Sequence, residues 1–294
     1  MYYSRRFLHR IQEDFFIVGK DDYEELSSLN TQHIRYLEIS LDALHCLPLF
    51  SSVEYLILTA GQISNDDLHF LDGMKIKALK IDYYSYEYDS YSIDLSRFPN
   101  LSLVFARTER CFRNADQCRS LQTLIVQEWL SVNLDSLNGS SVKALKLLSG
   151  KLKCLDGVGQ MPQLLSLSIS NQRQLVDCSD LSAVSLESLE IVSCNKVEIF
   201  QLPMLANIRM LHVSGRKPIP DIQGILDIAP KLEWLLLDCI VTDGDLSPLS
   251  NLHHAVIFTD CRYYSHRNSD LPKSSEKYRS KHLPFEFEIL PEAY

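Results

Sequence analysis

Nothing in this 294-residue sequence approaches 18 consecutive apolar residues, the run that a membrane-spanning helix requires. No export signal is visible either. The N-terminus, MYYSRRFLHRIQEDFFIVGK, carries the pair Arg5-Arg6 but is interrupted by Glu13 and Asp14, and no apolar stretch leads to a small-residue cleavage site. There is no excess of basic charge: the net charge is -9, which argues against nucleic acid, because phosphate neutralisation needs a cationic face. The eight cysteines are scattered, without the C-x-x-C pairs of zinc sites or dithiol redox motifs, and read as reduced thiols of a cytoplasmic protein. Also absent are G-x-x-x-x-G-K, G-x-S-x-G and H-E-x-x-H, the commonest signatures of phosphate-binding, serine-nucleophile and zinc-hydrolase chemistry. These absences predict a chain without cofactor, metal or catalytic centre, whose partner is neither a membrane nor a nucleic acid.

What the sequence has is repetition. The phrase apolar-x-x-apolar-x-apolar begins at Ile34, Val53, Ile76, Leu121, Val142, Leu164, Leu186, Ile208 and Leu232, with weaker copies at Leu101 and Leu252. The spacings run 19, 23, 25, 20, 21, 22, 22, 22, 24 and 20 residues. Between the buried fourth and sixth positions, the fifth is free to be Glu38, Lys80, Lys146, Ser168, Glu190 or His212, the period-2 signature of a short strand. One such strand cannot bury its apolar side alone, so each must stack on its neighbours in a parallel sheet. Between strands, Pro220-Asp221 followed by Ile222, Ile225, Leu226 and Ala229 gives the i, i+3, i+4, i+7 stripe of a short helix. Asn65-Asp66-Asp67 before Leu68, and Asp245 to Leu252, mark other compact returns.

Over about residues 30 to 260 this resembles the leucine-rich repeat family in its short, irregular, bacterial-type form. The resemblance implies an α/β solenoid: a horseshoe with about eleven short parallel strands on the concave face and 3₁₀ turns and short helices on the convex face. One feature departs from the family. The ninth position, usually Asn or Cys, is Asp42, Gly61, Tyr84, Trp129, Gly150, Gln172, Cys194, Arg216, Ile240 or Asp260 in successive copies, and only Cys194 conforms. The asparagine ladder is therefore expected to be mostly absent.

Solenoid ends need covering. Residues 1–33, with Phe7, Leu8, Ile11, Phe15, Phe16, Ile17 and Val18, are expected to form an N-terminal cap, residues 34–261 the repeats, and residues 262–294 a C-terminal flank. There the alternation Phe285, Phe287, Ile289 reads as a closing edge strand.

Three constellations invite a chemical interpretation and none completes one. Gly157-Val-Gly159 is a turn rather than a dinucleotide fingerprint. His253 and His254 near Asp260 and Cys261 point to opposite sides of a strand, which disfavours a shared metal. Cys111 and Cys118 sit among Arg110, Arg113 and Arg119, whose charge would lower a thiol pKa, but no base accompanies them.

Binding residues are easier to nominate. The segment Asp82 to Tyr91 follows a strand in the longest repeat and holds five tyrosines, Tyr83, Tyr84, Tyr86, Tyr88 and Tyr91; this residue gives large contact area at low entropic cost. The same edge of other repeats adds Arg107, Arg110, Glu128, Trp129, Tyr263 and Tyr264, and the strand face adds Trp234, for which packing against Met210 on the preceding strand is the alternative to a partner contact. Together these predict a non-enzymatic protein-binding module, an inhibitor or immunity-type protein masking a partner, such as a toxin, with a basic or mixed-charge surface. The alternative is an adaptor or regulatory subunit that recruits a second factor through a terminal flank.

Overall fold

The structure is a computed structural model, which describes residues 15–19, 23–27, 31–61, 65–83 and 91–275. Two compact units divide at Val126 and Gln127. In the first, β1 (Phe15–Val18), β2 (Tyr36–Ser40), β3 (Tyr55–Thr59), β4 (Ala78–Asp82) and β6 (Leu103–Thr108) pair in parallel in chain order. The two-residue strands β5 (Ile93–Asp94) and β7 (Phe112–Arg113) form a separate parallel pair. The division falls within β8 (Thr123–Trp129). In the second unit, β9 (Ala144–Gly150), β10 (Ser166–Ser170), β11 (Ser188–Val192), β12 (Met210–Ser214), β13 (Trp234–Asp238) and β14 (His254–Ile257) are again parallel and sequential.

All eleven phrases form strands, the two weak ones included, and the N-terminal flank adds β1. Register keeps equivalent positions side by side: Leu145, Leu167, Leu189, Leu211 and Leu235 form one row in the second unit, as Leu37, Leu56 and Leu79 do in the first, and all are buried. A recurring backbone stitch sets that register. In nine of the eleven phrases the carbonyl of the second residue accepts two successive amides of the next repeat; Arg35 takes Glu54 and Tyr55, Leu165 takes Glu187 and Ser188, and Arg209 takes Glu233 and Trp234.

The return segments are mostly 3₁₀ turns, among them Leu41–Leu49, Asn65–Leu71 and Ser247–Asn251. The expected helix is present as Gln223–Ile228, with Ile222, Ile225 and Ala229 buried along its inner side. The proposed closing strand at Phe285 to Ile289 lies outside the described residues.

Gly157 opens a 3₁₀ turn at φ +99, and a Cβ there would sit 2.6 Å from the carbonyl carbon of Leu134. This is the turn expected of Gly157-Val-Gly159, fastened by Asp180, whose carboxylate accepts from the Gly157 amide at 2.9 Å.

Candidate functional site

Strand alternation turns the third and fifth positions of each phrase away from the leucine core. In the first unit, the register of β2 on β3 sets Tyr36 opposite Tyr55, and their rings stack at 4.4 Å and 9°. Farther along, Asp82 sits between two cations, with Lys80 Nζ at 2.7 Å and Arg107 Nε at 2.6 Å. Burial raises the Asp82 pKa, but the two cations outweigh it and hold the carboxyl below its usual range. Burial pushes the Glu38 carboxyl up, against the pull of Lys80 and with the repulsion of Asp82.

The same face of the second unit carries Met210, Trp234 and His254 in register. Trp234 stacks on His254 at 4.8 Å and 22°, so it has a ring partner as well as the methionine neighbour expected from sequence. The Ser274 amide donates to His254 Nδ1 at 3.0 Å. One row over, Ser168 Oγ donates to Glu190 at 2.6 Å, and His212 Nδ1 lies 3.7 Å from the same carboxylate. Phe258, 6.4 Å from the His212 ring, is 56% exposed.

Burial raises the Glu190 pKa, and His212, Ser168 and Lys146 together reverse this, leaving it below the usual carboxylate value. A depressed folded-state pKa means that the unfolded chain binds the proton more readily. The stabilisation is therefore complete above the unfolded pKa of about 4.5 and is lost as pH falls through the folded one. Glu190→Gln should flatten the acid limb of stability measured by urea unfolding across that range. An acid limb as steep as that of the parent would show that Glu190 is not the group responsible.

Beyond the C-terminal ends of β10 to β13, loops enclose two adjoining cavities. A polar groove of about 800 Å³ is lined by Arg173, Ser193, Arg216, Asp238 and Ile240, among others. An apolar cavity of about 390 Å³ is walled by Val197, Ile199, Phe200, Val213 and Ile219. Asn171 and Ser193 adopt left-handed φ values of 53 and 56 where the strands turn out into these loops. Parallel hydrogen bonding continues past the strands, from the Ser193 amide to Ser214 O at 2.8 Å and from the Gly215 amide to Asp238 O at 3.2 Å.

The residues nominated from sequence meet different fates. Tyr83 is buried, and its hydroxyl finds no partner among the described residues; burial drives the phenol pKa well up. Trp129 is fully buried, and its Nε1 donates to Asn133 O at 2.9 Å. Both are packing residues, a correction to their assignment as partner contacts: the chain turns inward where the strand ends. Tyr84, Tyr86 and Tyr88 lie outside the described residues. Tyr91 and Glu128 are half-buried, Arg110 is exposed, and Arg107 is committed to Asp82. Tyr263 and Tyr264 clasp Val241: the Tyr263 hydroxyl donates to its carbonyl at 3.1 Å, and its amide donates to the Tyr264 hydroxyl at 2.9 Å.

The idea of a thiol activated by arginines is overturned in the same way. Cys111 and Cys118 are buried, and burial pushes the Cys118 thiol up rather than down. Among the described residues, no group of three potential metal ligands comes together. Arg173 and Asn195 were not singled out from sequence. They are the tenth residues of their repeats, beyond the strand, where no periodicity marks them.

No protein-family profile and no curated protein matches this sequence. Among solved structures, an internalin from Listeria monocytogenes is similar over 88% of this chain and 76% of its own, with 18% identity and a TM-score of 0.53. A chain of the Drosophila Toll–Spatzle complex is similar over 84% of this chain and 39% of its own, with 15% identity and a TM-score of 0.54. Parallel strands one repeat apart, joined by short 3₁₀ returns and shared with these structures, give the chain the leucine-rich-repeat fold.

Proposed function

We propose that this chain is a non-enzymatic protein-binding module. The observation that carries the proposal is the aromatic dressing of the strand face in the second unit. Met210, Trp234 and His254 stand side by side there, and Phe258 presents more than half its surface to solvent. Large rings cost little conformational entropy when fixed, which makes such a row effective as a contact surface. One structure of similar fold was solved as a protein–protein complex, Toll with Spatzle. We further favour a stoichiometric inhibitor or immunity-type role in the cytoplasm. Loops that differ in every repeat suit one partner rather than many, and six of the eight thiols are buried and none is paired.

The immobilised full chain is expected to capture one host protein in near-equal amount and to suppress its activity. Trp234→Glu together with Phe258→Glu should weaken that capture by about a hundredfold or more, the scale of two interface hot spots, while thermal unfolding stays unchanged. Full capture by the double variant would rule out this face. A captured protein that stays active would leave the binding module standing and remove the inhibitor role.

A further inference from the structure

We propose that the loop edge of the second unit, past β10 to β13, is a separate docking site for a short acidic segment of a protein partner. One carboxylate would lie between Arg173 and Arg216, and an adjacent bulky apolar side chain would enter the cavity alongside. This rests on the protein-binding function inferred above and specifies the chemistry of one part of the partner.

Charge is the first argument. The lining of the polar groove contains two cations, Arg173 and Arg216, and one anion, Asp238. Asp238 is already engaged by hydroxyls, accepting from Ser214 at 3.0 Å and from Thr259 at 3.2 Å. Both arginines are exposed, and neither has an ion-pair partner among the described residues. In a chain of net charge -9, two unpaired guanidiniums on one groove form a local exception to the surrounding field. A guanidinium fork matches a carboxylate in both geometry and charge.

Shape is the second. The groove and the apolar cavity share Asn195, Ser214, Gly215, Arg216 and Cys239 as a common rim, so one ligand can occupy both. The other cation lining the apolar cavity, Lys217, is neutralised by Glu198 at 2.7 Å, and Gln201 donates to the other oxygen of that carboxylate at 2.7 Å. That leaves the apolar cavity next to net positive charge on one side only. An acid beside a bulky hydrophobe fits this arrangement. A nucleic acid or an anionic membrane would bring many charges against a surface with only two unpaired cations in the groove and a repelling net charge around them.

Random peptides displayed on phage and panned on the full chain should converge on Asp or Glu adjacent to Leu, Ile, Met or Phe. A fluorescent peptide of that consensus should bind about tenfold or more weakly to Arg173→Gln/Arg216→Gln, the usual weight of hydrogen bonds to a charged group, and should weaken with added salt. Trp234→Glu/Phe258→Glu should leave its affinity intact. Both arginines are exposed, so the parent's melting temperature should be retained. Peptides without an acid, or an affinity unchanged in the arginine variant, would overturn the groove. Peptides that depend on Trp234 and Phe258 instead would overturn it while upholding the strand-face site. Retention of the chain on phosphatidylserine vesicles, lost in the arginine variant, would reassign the groove to lipid and so overturn the peptide assignment.

Discussion

Replacing Gly150 by alanine is expected to destabilise the second unit strongly. Gly150 ends β9 at φ +146, a region in which an L side chain is strained, and a Cβ there would stand 2.0 Å from the carbonyl oxygen of Trp129. The obstacle is backbone on the neighbouring repeat, and the Lys151 amide holds that carbonyl in place with a hydrogen bond of 2.7 Å. Neither group can swing aside as a side-chain tip would. Left-handed strain and overpacking together should cost about 4 kcal/mol. Urea unfolding would show this as a lower midpoint at unchanged slope. A loss below about 1 kcal/mol would mean that the strand end relaxes freely, contrary to the crowding described.

Trp129→Ala should cost nearly as much, about 3 to 5 kcal/mol, because a fully buried indole leaves a cavity and an unsatisfied Asn133 carbonyl. Trp129→Phe should lose only about 1 to 2 kcal/mol, since most of the volume remains and only the hydrogen bond goes. The chain has two tryptophans, which makes the difference easy to follow. Buried Trp129 should resist acrylamide quenching, and in Trp129→Phe the remaining emission from Trp234 should be readily quenched. If Trp129→Ala retained full stability but lost partner capture, the residue would be a contact residue after all.

These two positions show where the sequence was legible. The leucine phrase identified every repeat strand because positions one, four and six have to be apolar wherever strands stack, and no other residue type satisfies that requirement. The ninth position obeys a looser rule: some group must satisfy the loop backbone. Gln172 does so by accepting from the Leu152 amide at 3.2 Å, and Cys194 by donating to Val192 O at 3.5 Å; Trp129 reaches Asn133. An amide, a thiol and an indole share no hydropathy pattern, so at these three positions the ladder's work passes to groups that no single residue type marks, while Gly61, Gly150 and Ile240 carry no polar side chain for it.

The candidate sites divide along the same line. Asp82 and Arg107 both occupy the seventh position of their repeats, so their ion pair could have been read from the register of the phrases. The burial of Tyr83 and Trp129 could not: Tyr83 lies just past the end of β4, and Trp129, the last residue of β8, is buried although alternation from the core residues Leu124 and Val126 would turn it outward. Arg173 and Arg216 stand two repeats apart, at positions ten and nine, with Asn195 between them, and only the folded loops place them on one groove.

The fit of Trp129 against Gly150 also limits how this array could grow. Repeat proteins lengthen by tandem duplication, which works when each unit meets a neighbour like itself. Here the repeats beginning at Leu121 and Val142 differ at the ninth position, tryptophan in one and glycine in the other. A second copy of residues 121 to 141 would put a tryptophan where Gly150 now adopts φ +146 and where even a Cβ would stand 2.0 Å from the Trp129 carbonyl oxygen. The tryptophan repeat therefore resists duplication at this point, and growth of the array comes more readily from repeats whose ninth residue does not meet such a contact.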